Sequence, residues 1–160
     1  MRPSLRPSGI ASTLVLVVLA SGCGGGGTKT AQPTTTASST SSVAAAKQQI
    51  RQNWTSFFSG DTSAAQKVAL LQNGSRFSSA IQAQASSPLA KGTKAQVVSV
   101  TLTSPSRATV VYTILLGGQP VLANRKGTAV LVDGAWKVGD QSFCQLLGLQ
   151  GQVPPACSSG

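Results

Sequence analysis

The chain has 160 residues, with 13 basic and 3 acidic side chains and no histidine, and its net charge is +10 at pH 7. The acids are Asp61, Asp133 and Asp140, and glutamate is absent. This composition excludes a histidine-based catalytic triad and weighs strongly against a zinc site, because two or three thiols without histidine do not complete a four-ligand shell. The length suits one domain with one core.

The N-terminus has the pattern of an exported lipoprotein. Arg2 and Arg6 precede an apolar run, Ile10 to Ala20, that is too short to span a bilayer. The run leads through Ser-Gly into Cys23, and the segment resembles the cleavage and acylation motif of bacterial lipoproteins. We predict a signal peptide over residues 1–22 and a diacylglycerol on Cys23. An ordinary secretory signal with an unmodified cysteine is the alternative.

This prediction places the mature protein on the outer face of the cell membrane, with release from the cell as a further fate. Removal of Arg2 and Arg6 with the signal peptide lowers the net charge to +8. A positive charge in that compartment indicates anionic lipid head groups or acidic envelope polymers as partners, and not nucleic acid.

The cysteine count supports lipidation independently. Three cysteines in an oxidising compartment leave one unpaired. If Cys23 carries lipid, Cys144 and Cys157 remain to form a disulfide, which is worth on the order of 3 kcal/mol for a loop of this size. In the alternative, Cys144 is a buried thiol and Cys157 a free one.

A linker separates the anchor from the domain. Residues 24–42 are almost entirely Gly, Ser, Thr, Ala and other residues without large apolar side chains. We therefore predict a disordered linker over 23–42, with a reach of roughly 25 Å, and a single domain over 43–160.

Helices are predicted in the first half of that domain. Val43, Ala46, Ile50, Trp54 and Phe57 recur at helical spacing. A second helix, capped by Asp61 or Thr62, carries the next apolar stripe: Ala64, Val68 and Leu71. A third stretch, from Ser75 to Pro88, carries Phe77, Ile81 and Ala85.

Strands are predicted in the second half. Val98, Val100 and Leu102 alternate with polar residues, and the segment Thr109 to Leu115 is rich in β-branched side chains. Gly117-Gly118 predicts a turn into a third strand, which runs from about Val121 to Val132 with a bulge near Gly127. The hairpin dipeptide Asp133-Gly134 then leads into a fourth strand through Trp136 and Val138. A short helical turn is expected around Leu146 and Leu147. The fold class is therefore α+β: helices packed on a four-stranded antiparallel meander.

Several segments together resemble one known family. They are WTSFFSGD from Trp54, AAQKVALLQNG to Gly74, GTAVLVDGAWKV from Gly127, and FCQLL from Phe143. They are similar to the C-terminal domain of the low-molecular-weight secreted antigens of mycobacteria and related actinobacteria. The resemblance implies helices wrapped on a curved antiparallel sheet, as in cystatin-like or nuclear-transport-factor-two-like domains. It implies no particular reaction, because that fold includes both enzymes and passive binders.

Asp140 is the one acid without an obvious structural role, and it has no histidine or second acid to assist proton transfer. We therefore predict no enzymatic activity and no cofactor; an enzyme using Asp140 is the less favoured interpretation. Phe57 and Phe58 cannot both point the same way on a helix, so one of them is expected at a pocket mouth or on a partner surface. The candidate pocket residues are Phe58, Tyr112, Trp136 and Asp140.

The basic residues are scattered, which is typical of a solvated surface. The fold could still gather five of them: Lys47, Arg51, Arg125, Lys126 and Lys137. The predicted function is a membrane-tethered binding domain for an apolar small ligand or for an envelope protein or polymer. The alternative is a structural lipoprotein that docks on anionic envelope components through the basic patch.

Overall fold

The computed structural model describes residues 36–151 and 153–158. The predicted signal peptide, Cys23 and most of the predicted linker lie outside them. In the described part of the chain, helices precede an antiparallel sheet, and the predicted α+β class is confirmed. No described helix is long and apolar enough to cross a membrane.

Three α-helices precede the sheet: α1 (Thr36–Phe58), α2 (Ala64–Leu70) and α3 (Ser78–Ala85). The sheet consists of β1 (Thr93–Ser104), β2 (Arg107–Leu116), β3 (Gln119–Val132) and β4 (Ala135–Val138). A further helix, α4 (Asp140–Leu149), follows the sheet. Short 3₁₀ turns cover Gly74–Phe77, Ala90–Gly92 and Pro155–Cys157.

Helix α1 begins at Thr36, earlier than the predicted start at Val43. Its packed part lies near its C-terminal end, where Ile50, Trp54 and Phe57 are buried as predicted. Val43 is 42% exposed, so its predicted inward position is wrong. Once the packed turns have formed, a helix extends toward its N-terminus at little cost, because each added residue gains a backbone hydrogen bond.

Ser63 caps helix α2, in place of the predicted Asp61 or Thr62. The Ser63 hydroxyl accepts a hydrogen bond from the backbone N–H of Gln66 at 3.3 Å. The Gln66 side-chain oxygen accepts one in return from the Ser63 N–H at 3.1 Å. This reciprocal pair requires a glutamine three residues after the cap, and Ser63 has one at that distance.

The sheet has the predicted order β1-β2-β3-β4. The hairpin between β3 and β4 turns at Asp133 and Gly134, whose φ angles are 50° and 76°. Gly117 and Gly118 turn the preceding hairpin with φ angles of 58° and 85°. Two successive positive φ angles give a turn whose twist matches the flanking strands, which is why these dipeptides predicted both hairpins.

A bulge in β1 overturns the predicted alternation of Val98, Val100 and Leu102. The register with β2 shifts between Val97 and Ser99, so Val98 is the extra residue. Val98 is 53% exposed, whereas Val100 is buried. The bulge reverses the parity of the side chains, and strict alternation no longer holds across it.

The bulge in β3 that is nearer to Gly127 lies at Ala123 and Asn124, and a second irregularity lies at Val121, so the predicted position near Gly127 is wrong. Gly127 pairs regularly with Val110. It is glycine for another reason: a Cβ there would lie 2.7 Å from Cζ2 of Trp54. The indole therefore packs directly on the backbone of β3.

Cys144 and Cys157 form the predicted disulfide, with an S–S distance of 2.04 Å. Cys144 lies in α4, which is longer than the predicted turn, and Cys157 lies in the last 3₁₀ turn. The bond ties the C-terminal segment to α4, whose Phe143 and Leu147 are buried in the core.

Candidate ligand-binding cavity

A cavity of about 590 Å³ lies between α3, α4 and the ends of β2 and β3 that adjoin the β2–β3 hairpin. Its deepest walls are buried core side chains: Phe57, Ile81, Ile114, Phe143 and Leu147. Its rim includes Leu89 and Val121, which are 64% and 53% exposed. Its volume falls in the range of roughly 300–1,000 Å³ that is typical of small-molecule sites. The cavity thus runs from an apolar rim down to the core.

The β3 bulge shapes one wall of this cavity. Arg125 pairs with Tyr112, and Leu122 pairs with Ile114, on the helix-facing side of the sheet. Residues three apart on a strand point the same way only when an extra residue lies between them. The bulge therefore turns Leu122 toward the helices, where it lines the cavity.

Thr113 holds the bulge in place. Its side chain is 9% exposed, and its hydroxyl accepts a hydrogen bond from the backbone N–H of Asn124 at 3.3 Å. Asn124 has a φ of 51°, in the left-handed region where asparagine is tolerated better than most residues. One buried threonine and one asparagine thus fix the conformation of a cavity wall.

Two hydrogen bonds brace the mouth. Nε2 of Gln84 in α3 donates to Oε1 of Gln150, directly after α4, at 2.6 Å. The Thr93 hydroxyl donates to the carbonyl of Leu89 at 2.8 Å and holds the rim segment against the start of β1. All four residues line the cavity. The amide pair therefore ties together the two helical walls.

Lys67 of α2 differs from the other lining residues. Among the residues that the structure describes, it is the only charged one in the cavity wall. It is half-buried, and this burial lowers the pKa of its ammonium group. An ammonium group loses hydration when it is placed against apolar walls.

Aromatic side chains connect the cavity floor to the sheet. Phe57 packs edge-on against Phe58 and Phe143, with ring centroids 4.9 and 5.6 Å away. Phe58 stacks on Tyr112 at 5.5 Å, and Tyr112 lies 5.2 Å from Trp54. Such contacts favour a rigid floor, since offset and edge-on rings add to the free energy of burial.

Of the four predicted pocket residues, the structure places only Phe58 in the wall of this cavity. Phe57, the neighbour expected to point elsewhere, lines it as well, because the cavity surrounds the end of α1. Tyr112 and Trp136 are 1% and 4% exposed and lie outside the lining, within the core. Their prediction as pocket residues is wrong.

Asp140 also lies outside the cavity lining. It is the first residue of α4, where one carboxylate oxygen accepts from the Asn73 amide at 2.8 Å. The other accepts from the backbone N–H of Gln141, also at 2.8 Å. A carboxylate in a first helical turn is stabilised by the helix dipole. Asp140 thus has the structural role that the sequence did not reveal.

The five predicted basic residues are divided between two sides of the sheet. Lys47 and Arg51 lie on α1, and Arg51 donates to the carbonyl of Val97 at 3.1 Å. Arg125 pairs with Tyr112 on the helix-facing side. Lys126 and Lys137, which pair with Val111 and Val130, lie on the opposite, open face.

Arg107 pairs with Val130 and joins Lys126 and Lys137 on the open face. Within residues 36–151 and 153–158, the paired positions of that face carry no acidic side chain. Lys94, which pairs with Leu115, also lies on this face, at the opposite end of β2 from Arg107. Arg107, Lys126 and Lys137 are called the open-face cations below. Sequence spacing did not single out Arg107, because the face of the sheet on which it lies depends on the strand register.

Sequence reasoning missed most of the cavity wall, including Gln84, Leu89, Gln150 and Lys67. No local pattern distinguishes these residues from ordinary surface positions. The one usable signal was the apolar helical stripe through Phe77, Ile81 and Ala85, in which Ala85 is too small to fill the space that its neighbours enclose.

The sequence pattern of the C-terminal domain of the low molecular weight antigen MTB12 matches residues 42–154. The chain belongs to this MTB12 family. The match confirms the resemblance found in the sequence, and within it lie all the cavity-forming elements from α2 to α4.

The chain is also similar to solved structures. A domain of unknown function with a cystatin-like fold from Nostoc punctiforme is 15% identical, over 76% of this chain and 91% of that chain, with a TM-score of 0.34. No curated protein sequence matches this MTB12-family chain.

Proposed function

We propose that this MTB12-family protein is a lipid-anchored envelope protein whose domain binds an apolar small ligand and catalyses no reaction. The observation that carries the proposal is the cavity, whose depth is lined by core side chains and whose rim exposes Leu89 and Val121. Burying a ligand's apolar surface there is favourable by about 25 cal/mol per Å².

Within the part of the chain that the structure describes, the acidic side chain that was considered for catalysis has a structural role, which supports a binding role. Asp140 is engaged by Asn73 and its own helix, away from the cavity. Groups of His, Cys, Asp and Glu that could hold a metal ion are absent from the described residues. The proposal therefore assigns the cavity to recognition.

The test of ligand binding is native mass spectrometry of the protein purified from an exporting host, together with titration of an apolar fluorescent probe. We expect a co-purifying apolar molecule or saturable probe binding.

Ala83 lines the cavity at an exposed helical position, so Ala83→Phe fills the space without disturbing the core. This variant should lose binding. Ala45→Phe, at an exposed position of α1 outside the lining, is the matched control. Equal binding by both variants would contradict the proposal.

The lipid anchor needs its own test, because Cys23 lies outside the described residues. In a host that acylates lipoproteins, a fatty-acid analogue should label the full chain, and Cys23→Ala should abolish the label. An unlabelled wild-type chain would leave an ordinary secreted domain.

A second candidate function rests on the open-face cations. Arg107, Lys126 and Lys137 share one side of the sheet without an acidic neighbour there. Such a surface would hold the domain against anionic head groups or polymers. Binding to anionic vesicles should weaken in high salt and in the triple variant with glutamine at these positions. Binding that is insensitive to both would exclude this function.

A further inference from the structure

The cavity combines apolar walls with one cation. Apart from Lys67, the described lining residues are apolar or uncharged. The polar amides and the threonine at the mouth are already bonded to neighbouring protein groups: Gln84 to Gln150, and Thr93 to Leu89. Lys67 is the charged group of the described lining, and these contacts do not engage its ammonium group.

The ammonium group of Lys67 loses part of its hydration where it lies against the apolar wall. The long stem of Lys67 can cover apolar surface while the ammonium group reaches toward water, but this group is half-buried. Burial is the cause that lowers its pKa, and no carboxylate of the described residues offsets that effect. A lone, partly desolvated cation gains most from an anion that arrives with an apolar body.

We propose that the cavity binds a single-chain anionic amphiphile, with its aliphatic chain among Ile81, Ile114 and Leu147 and its acidic head group on Lys67. The inference rests on the proposed binding function and names its ligand class. Charge complementarity selects an acid. The buried apolar side chains of the cavity, whose whole volume is about 590 Å³, select an aliphatic chain over a compact polar anion. The two parts of the ligand thus correspond to the two parts of the site.

The experiment compares two probes that differ only in charge at the head: dodecanoate and dodecanol, each titrated below its aggregation limit by calorimetry. We expect the protein to bind the acid at least about tenfold more tightly, which corresponds to about 1.4 kcal/mol. In Lys67→Met, which keeps an apolar stem, the acid should lose this advantage while the alcohol binds as before. Lys67→Arg should retain the preference for the acid.

Lys91 supplies the matched control, because it is exposed in the neighbouring 3₁₀ turn and lies outside the cavity lining. Lys91→Met should leave both affinities unchanged. Thermal unfolding of each variant verifies folding, and Lys67→Met is expected to be at least as stable as wild type because a desolvated cation is removed.

The outcomes separate this inference from the proposed function. If acid and alcohol bind equally, or if Lys67→Met keeps the preference for the acid, the cavity binds apolar ligands but the head-group assignment is wrong. If neither probe binds, the proposed binding function itself fails.

Discussion

The indole of Trp54 lies against the backbone of Gly127, where a Cβ would come within 2.7 Å of Cζ2 and 2.8 Å of Cη2. Ser142 Oγ would lie 3.0 Å from the same Cβ. That hydroxyl accepts a hydrogen bond from the Thr128 N–H at 2.8 Å. Helix α1, strand β3 and helix α4 thus meet at one residue without a side chain.

Gly127→Ala should therefore destabilise the domain by roughly 1–3 kcal/mol, the usual cost of overpacking a core. Urea unfolding followed by tryptophan fluorescence measures the change. Gly148→Ala is the control, because the nearest atom to a Cβ there is Cγ2 of Val153 at 4.0 Å. Within α4 this change should be neutral or slightly stabilising. Equal effects of the two substitutions would contradict the role given to the Trp54 contact.

The disulfide is expected to contribute on the order of 3 kcal/mol, since it closes a short loop in the unfolded chain. Its cysteines are 13 positions apart. Reduction, or the double change Cys144→Ala and Cys157→Ala, should lower the urea midpoint accordingly. Reductant should have no effect on the double variant. If reductant shifts the midpoint of that variant too, the loss has another cause.

Tyr112 should titrate far above the usual range of a tyrosine. Burial raises the pKa of its hydroxyl to about 12, and the positive charge of Arg125 opposes this rise. The unfolded chain releases this proton near pH 10, before the folded chain does. The stability contributed by Tyr112 is therefore complete below about pH 10 and is lost as the pH rises toward 12.

Tyrosinate absorbance measures this pKa directly, because the chain has a single tyrosine. The titration is read over the pH range in which circular dichroism shows a folded chain. Arg125→Gln should move the titration to still higher pH, because it removes the opposing cation. A midpoint near pH 10 in the folded protein would show that the hydroxyl is hydrated.

Thr113→Val should weaken the bulge, because it removes the acceptor of the Asn124 N–H. We expect a loss of about 0.5–1.5 kcal/mol, the net worth of a typical hydrogen bond, and weaker binding of the apolar probe. Thr109→Val is the control, because Thr109 lies in the same strand and pairs regularly with Thr128. It should change neither the stability of the domain nor the binding of the apolar probe. Unaltered probe binding in Thr113→Val would mean that the wall at Leu122 keeps its shape without this bond.

Much of the fold follows from local sequence signals. The helical stripe through Ile50, Trp54 and Phe57 and the hairpin dipeptides each depend on neighbours within one element, so they could be predicted. The exposed position of Val98 could not be predicted, because a bulge arises from the pairing of two strands. The N-cap of α2 was predicted at the wrong residue for a similar reason. Only the reciprocal hydrogen bonds with Gln66 distinguish Ser63 from its polar neighbours Asp61 and Thr62.

The site was less predictable than the fold. Tyr112 and Trp136 were expected to line a pocket because they are large and partly polar, but those same properties make them efficient core fillers. The actual wall brings together residues from seven helices and strands, among them Lys67 and Leu122. Their proximity depends on how the helices meet the sheet and on a bulge that reverses side-chain parity.

The contact between Arg51 and the carbonyl of Val97 affects how readily strand β1 can pair with a strand from another copy of the protein. Strand β1 lies at the edge of the sheet and pairs with β2 alone among the described strands. Exposed edges invite strand addition from other copies and so promote aggregation. Here Arg51 occupies a carbonyl of β1, and register shifts interrupt the strand between Val97 and Ser99 and again between Leu102 and Ser104. Only short stretches of β1 remain for pairing with an incoming strand, which favours separate domains over edge-to-edge aggregates.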